Sequence, residues 1–109
     1  MIIEVIGGAD EVPEVRLADV DDLKRLHLAV GALTDEDVDS ALREAGLGRL
    51  VDGENGVLDV AALRAAAQAQ ATSPTWDEDF DGMVAYAAEK GWTAEDGGLK
   101  VHVEPAASA

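Results

Sequence analysis

Carboxylates are the most abundant side chains in this sequence that could bind a metal ion or act in acid–base catalysis. The chain has 23 Asp and Glu residues against 8 Lys and Arg. Asp77 and Asp81 are spaced four apart in a segment predicted to be helical, so one helix face could present both carboxylates to Mg²⁺ or Ca²⁺. The first turns of a helix also favour negative charge without any ligand, because the helix dipole is positive there. Similar acidic groups begin two other predicted helices, so helix-end stabilisation is the favoured interpretation and a metal site at Asp77 and Asp81 is the alternative.

A histidine and a carboxylate near the C-terminus form the second candidate site. His102 and Glu104 alternate with valines on a predicted strand, where they share one face with Lys100. Trp92 directly follows the helix that precedes this strand, so His102, Glu104 and Trp92 could line a pocket. A solvated polar sheet face is the simpler interpretation. His27 lies on a predicted apolar helix stripe, and the sequence leaves open whether His27 and His102 meet in space.

Other catalytic and cofactor motifs do not occur in the sequence. The chain has no cysteine, which excludes disulfides, thiolate zinc sites and cysteine nucleophiles. No serine lies in a G-x-S-x-G motif, and Gly7-Gly8 is not completed to a phosphate-binding loop. The turn at residues 52–56 fails the spacing of a calcium loop. We therefore expect no cofactor, and a non-enzymatic protein is favoured over an enzyme.

Hydrophobic periodicity and capping residues predict four helices and several short strands. Thr34 followed by three acidic residues is a strong helix start, and Gly46 a natural stop. Asp59 caps a third helix, and Thr75 with Glu78 forms a capping box for a fourth. The predicted helices span residues 19–30, 35–45, 60–71 and 76–90, and the predicted strands span residues 1–6, 50–51, 57–58 and 99–104, with an acidic connection from Gly7 to Pro13.

These elements predict an α+β fold in which about four helices pack on a small sheet of two to four short strands. Residues 1–104 are expected to form a single domain, and residues 105–109 a frayed tail. The N-terminal and C-terminal strands are expected to pair. The fourth helix carries Trp76 and Phe80, and Trp92 lies just beyond its end, so this helix is expected to be the centre of the core.

The C-terminal third also supports a resemblance. The pattern of Trp76, Phe80, Met83, Ala87 and Gly91-Trp92, followed by Val101-His102-Val103-Glu104, resembles a family of small, acidic conserved proteins of unknown function from actinobacteria. The resemblance implies no particular activity.

The formal charge of −15 narrows the choice of partners. It makes the phosphate backbone of a nucleic acid repulsive, so nucleic-acid binding is disfavoured.

The chain lacks a secretion signal and a long apolar run, which predicts a cytoplasmic protein without a membrane partner. The favoured function is a non-enzymatic interaction module whose acidic surface meets a basic protein, or whose sheet edge mediates self-association. The alternative is a small enzyme or ligand-binding domain at His102, Glu104 and Trp92.

Overall fold

A computed structural model of the chain describes residues 1–7 and 13–105. The described residues form six strands, three α-helices and one short 3₁₀ turn. The strands are β1 (Ile2–Ile6), β2 (Glu14–Ala18), β3 (His27–Val30), β4 (Gly48–Leu50), β5 (Asn55–Leu58) and β6 (Leu99–Pro105). The helices are α1 (Asp35–Glu44), α2 (Val60–Gln68) and α3 (Trp76–Glu89), and the 3₁₀ turn spans Leu23–Arg25. Of the tail predicted for residues 105–109, Pro105 ends β6, and residues 106–109 lie outside the described residues.

The strands form one curled mixed sheet in the order β2-β1-β3-β6-β5-β4. Strand β3 is parallel to both β1 and β6, and the other neighbouring pairs are antiparallel. The prediction of about four helices on two to four strands is therefore wrong, because the described residues contain three α-helices and six strands. The predicted pairing of the N-terminal and C-terminal strands is also wrong, since β3 lies between β1 and β6.

The helix predicted over residues 19–30 is the main error. The structure has the 3₁₀ turn there, followed by β3, and Asp19 adopts a left-handed conformation with φ of 50° in place of a helix cap. Leu28 and Ala29 point to opposite faces of the sheet and are both buried. A strand buried on both faces has a continuous apolar run, which periodicity alone does not distinguish from a buried helix.

The sequence predicts no helix or strand over residues 14–18, where the structure has β2, although charged and apolar residues alternate there. Glu14 and Arg16 are exposed, whereas Val15 and Leu17 pack against the core. The strand pairs antiparallel with β1, with Ile3 opposite Leu17. Two charged residues in five weaken the hydrophobic signal, and the pairing that stabilises the strand comes from β1.

The elements with strong local signals are confirmed. In α1, the hydroxyl of Thr34 accepts a hydrogen bond from the N–H of Asp37 at 3.2 Å, and Gly46 follows the helix with φ of 72°. The carboxylate of Asp59 accepts from the N–H of Ala62 at 2.8 Å, although α2 ends at Gln68, before the predicted residue 71. The central hairpin is formed by β4 and β5.

Helix α3 begins where the sequence predicts, but the predicted capping box does not form. The hydroxyl of Thr75 donates to the carboxylate of Asp79 at 3.0 Å and caps no backbone N–H group. Trp76 and Phe80 are buried with their rings stacked at 5.0 Å, and Trp76 Nε1 donates to the carbonyl of Val20 at 2.7 Å. The indole hydrogen bond ties α3 to the segment just before the 3₁₀ turn, and both rings belong to the core. Trp92, predicted to pack in the core, is instead 50% exposed.

The two faces of the sheet therefore differ in character. The inner face contributes Ile3, Val5, Leu28, Leu99 and Val101 to the core beneath the helices. The opposite surface, which we call the outer face, presents polar side chains from neighbouring strands, among them Glu4, His27, His102 and Glu104. Among the described residues, no helix is both long enough and apolar enough to cross a membrane.

Candidate functional site

A cleft in the described part of the chain, which we call the acidic cleft, lies between the 3₁₀ turn, α3 and the beginning of β6. Its volume is about 970 Å³, within the usual range of about 300 to 1,000 Å³ for ligand sites. Its floor is apolar and its rim is charged. The floor and walls include Leu23, Leu26, Met83, Tyr86, Trp92 and Val101, and the rim carries Asp21, Asp22, Glu78, Asp79, Lys24 and Lys100.

An aromatic corner forms one wall of the acidic cleft. Tyr86 and Trp92 meet edge to face, with ring centroids 5.7 Å apart and an interplanar angle of 73°. The two side chains are 51% and 50% exposed. The N–H of Trp92 donates to the carbonyl of Ala87 at 2.8 Å, which fixes the chain as it leaves α3. Exposed aromatic rings beside an apolar floor are typical of binding surfaces, because they offer contact area at low entropic cost.

Four carboxylates face two ammonium groups around the rim of the acidic cleft. Asp21 is held in place by Thr72 and Ser73, the Thr72 hydroxyl donating at 2.7 Å and the two N–H groups at 3.1 and 3.2 Å. The Thr72 hydroxyl, followed by the N–H groups of Ser73 and Thr72, lowers the pKa of the Asp21 carboxyl. Asp21 therefore stays charged while it ties the 3₁₀ turn to the connection between α2 and α3.

A smaller cleft of about 550 Å³ lies beside the central hairpin. Arg43 and Arg49 line it, but each is bound to an aspartate of the chain. Arg43 Nε lies 2.7 Å from Asp39, and Arg49 Nη1 lies 2.9 Å from Asp96. The N–H of Gly98 and then Arg49 lower the pKa of Asp96. The two arginines that line this cleft are thus engaged in ion pairs within the chain, which makes the cleft the weaker candidate for a ligand site.

Asp77 and Asp81, the predicted metal pair, share a cation that the chain itself supplies. Arg64 of α2 pairs with both carboxylates, at 3.4 Å from Asp77 Oδ1, and Gln68 Nε2 donates to Asp77 at 2.7 Å. The Arg64 guanidinium also lies 4.7 Å from the centroid of the Phe80 ring. These contacts link α2 to α3. Within residues 1–7 and 13–105, no group of three or more His, Asp or Glu side chains could hold a metal ion.

The three residues of the predicted pocket are divided between two places. Trp92 lines the acidic cleft, whereas His102 and Glu104 line neither of the two clefts and lie on the outer face. There the structure brings His102 together with His27, their rings stacked with centroids 6.3 Å apart. Glu104 lies between them, with its two oxygens 3.2 Å from His27 Nε2 and 3.4 Å from His102 Nε2.

Tyr86 lines the acidic cleft but is not among the site residues that the sequence predicts. The apolar stripe of α3 runs through Trp76, Phe80 and Ala87, which are buried. Tyr86 lies off that stripe, on a helix that is otherwise acidic or alanine-rich there. Its position off the stripe predicts an exposed ring, and it is the contact with Trp92 that joins the two rings into one exposed apolar surface.

Acid should remove a contribution to stability that Asp39 makes. Hydrogen bonds from Arg43 first, and then from the N–H of Leu50 at 2.9 Å, lower the pKa of this carboxyl below its ordinary value of 3.8. A carboxyl with a lowered pKa in the fold stabilises the protein above its unfolded pKa, and this stabilisation is lost as the pH falls through the folded value. The difference in urea midpoint between wild type and Asp39→Asn should be full at neutral pH, begin to shrink near the unfolded pKa of about 3.9, and disappear only as the pH falls through the lower folded value. A difference independent of pH would contradict this linkage.

No family model, no curated protein and no solved structure matches the chain. The geometry of the described residues, above all of the acidic cleft, is therefore the basis for a functional proposal.

Proposed function

We propose that this protein is a non-enzymatic interaction module that binds a basic, amphipathic segment of a partner protein in the acidic cleft. The observation that carries the proposal is the combination of an apolar floor and the exposed pair of Tyr86 and Trp92 with a rim on which carboxylates outnumber ammonium groups four to two. Apolar side chains of the partner would pack on the floor. Its Lys or Arg residues would meet the rim.

The charge of the chain indicates which kind of partner would bind in the acidic cleft. The chain carries a formal charge of −15, so its field attracts basic partners and repels nucleic acid over the whole surface. Asp21 and Asp22 on one side of the cleft and Glu78 and Asp79 on the other give this attraction a local target. We place this interaction in the cytoplasm.

The cleft is favoured over the sheet edge as the interaction surface. Of the two edge strands, β2 exposes Glu14 and Arg16, and β4 is only three residues long with Arg49 at its centre. Charged side chains and short length both oppose the pairing of an edge with another strand. The cleft instead exposes aromatic residues, which dominate binding energies at protein interfaces. Self-association through the edge is thus the less supported form of the interaction hypothesis.

The test is a calorimetric titration with a short amphipathic peptide of Lys and Leu. We expect Trp92→Ala to weaken peptide binding by about tenfold or more, because a central aromatic residue of an interface contributes about 2 kcal/mol. Val51→Ala is the matched control, since Val51 is 58% exposed and lies outside the cleft, and it should leave the affinity unchanged. Added salt should weaken binding to the wild type.

Two results would contradict the proposal. Equal losses in Trp92→Ala and Val51→Ala would show that the peptide adheres to the surface without using the cleft. Competition by free arginine as effective as that of the peptide would indicate a small cationic ligand, and the protein-binding proposal would be wrong.

A further inference from the structure

Gly82 lies inside α3 at a position where the packing of the chain does not require a glycine. Its backbone is helical and adopts no left-handed conformation. Among the described residues, a Cβ at this position would meet no atom within 4 Å apart from the nearby backbone of its own helix. Glycine in a helix interior is less favourable than alanine, because it loses more conformational freedom on folding. The helix therefore contains a destabilising residue that its own neighbours do not explain.

The missing side chain of Gly82 opens onto the acidic cleft. Gly82 lines that cleft together with Asp79, Met83 and Tyr86 of the same helix. The spacing of these residues, i, i+3, i+4 and i+7, places them on one face of α3. Asp79 and Tyr86 are exposed at the two ends of this face, and Met83 is half-buried between them. The wall of the cleft thus has a notch at Gly82, where another chain can come close to the backbone of α3.

The dimensions of the acidic cleft match those of a short helix. Asp79 and Tyr86 are seven residues apart, which is about 10.5 Å along the axis of α3. Two turns of an α-helix are about 11 Å long and about 10 Å across, so they take up roughly 850 Å³. The volume of the cleft is about 970 Å³. Two helices also approach each other most closely where the side chains at their contact are smallest, and Gly82 provides such a point.

An extended segment is less well matched to the acidic cleft. A strand that binds by extending a sheet needs free N–H and C=O groups along an edge. At the start of β6, inside the cleft, the N–H of Lys100 already donates to the carbonyl of Trp92 at 2.8 Å. The apolar floor and the notch in α3 therefore favour a helix as the occupant.

We propose that the basic partner segment binds as an α-helix of about two turns packed along α3, with its closest approach at Gly82. This inference rests on the proposed peptide binding in the acidic cleft, and it specifies the conformation of the bound segment and the residue that admits it. Apolar side chains on one face of the bound helix pack on Met83 and on the ring of Tyr86. Its cationic side chains reach carboxylates of the rim, such as Asp79.

The first part of the experiment compares two peptides with the same numbers of Lys and Leu residues. One peptide places Leu at the helical spacing i, i+3, i+4 and i+7, and the other alternates Lys with Leu. We expect calorimetric titration of the full chain to give at least about tenfold tighter binding of the first peptide, because only that peptide presents its leucines on one face of a helix.

The second part uses Gly82→Ala, which fills the notch with one methyl group. We expect this variant to bind the helical peptide about tenfold more weakly than the wild type, because the methyl group prevents the close approach of the two helices. Its melting temperature should nevertheless rise, since alanine stabilises a helix interior. Ala85→Ser is the matched control, because it adds one non-hydrogen atom at an exposed position of α3 outside the cleft. It should leave the peptide affinity unchanged.

Two kinds of result would overturn this inference while the loss of binding in Trp92→Ala still supports the peptide-binding proposal. The first is an affinity of Gly82→Ala for the helical peptide equal to that of the wild type, or equal losses in Gly82→Ala and Ala85→Ser. The second is binding of the alternating peptide as tight as that of the helical peptide. Failure of the wild type to bind either peptide would contradict both proposals.

Discussion

Phe80→Ala is expected to destabilise the protein by about 3 to 5 kcal/mol, a large part of the ~5–15 kcal/mol by which a domain of this size is stable. Phe80 is fully buried, stacks on Trp76 at 5.0 Å and lies under the Arg64 guanidinium. Its removal leaves a cavity beneath α3 and takes away the aromatic surface that Arg64 packs on. The measurement is urea unfolding followed by far-UV circular dichroism.

Tyr86→Ala on the same helix is the control for Phe80→Ala. Tyr86 is half-exposed, so its truncation should cost less than about 1 kcal/mol while weakening peptide binding in the acidic cleft. The pair of variants separates the packing face of α3 from its binding face. A loss of less than about 1 kcal/mol in Phe80→Ala would contradict the position of α3 at the centre of the core.

Gly48→Ala is expected to destabilise the protein by about 2 to 4 kcal/mol, because it adds backbone strain and a steric clash together. Gly48 has φ of 155°, which L-residues with a side chain rarely adopt. A Cβ there would overlap the carbonyl oxygen of Val57 and lie 2.9 Å from the Cα of Leu58. Both are backbone atoms of β5, so neither can move without breaking the pairing of β4 and β5.

Gly82→Ala is the opposite case and serves as the control. Gly82 lies inside α3, and a Cβ there would meet nothing within 4 Å. Alanine in a helix interior is more favourable than glycine by about 0.5 to 1 kcal/mol, so this variant should be more stable than wild type. Chemical unfolding of both variants checks the prediction. Stabilisation by Gly48→Ala would contradict the close approach of β4 and β5.

The candidate sites could be predicted from the sequence only in part. The pattern of residues 99–104 correctly places His102 and Glu104 together on the exposed face of a strand, because side-chain alternation is a local property. Their neighbour His27 was assigned to a helix, and the contact between the two histidines depends on β3 lying beside β6. Likewise, the sequence singles out Trp92, but the opposite rim at Asp21 and Asp22 is brought to it only by the packing of the 3₁₀ turn on α3.

The sequence by itself determined the features that are decided within a few residues. Thr34, Asp59 and Gly46 mark helix ends through hydrogen bonds and backbone conformations that need no distant partner. Tertiary structure alone decided that residues 27–30 form a central strand and that residues 14–18 form an edge. A strand obtains its hydrogen bonds from other parts of the chain, so its identity depends on the neighbours that the fold provides.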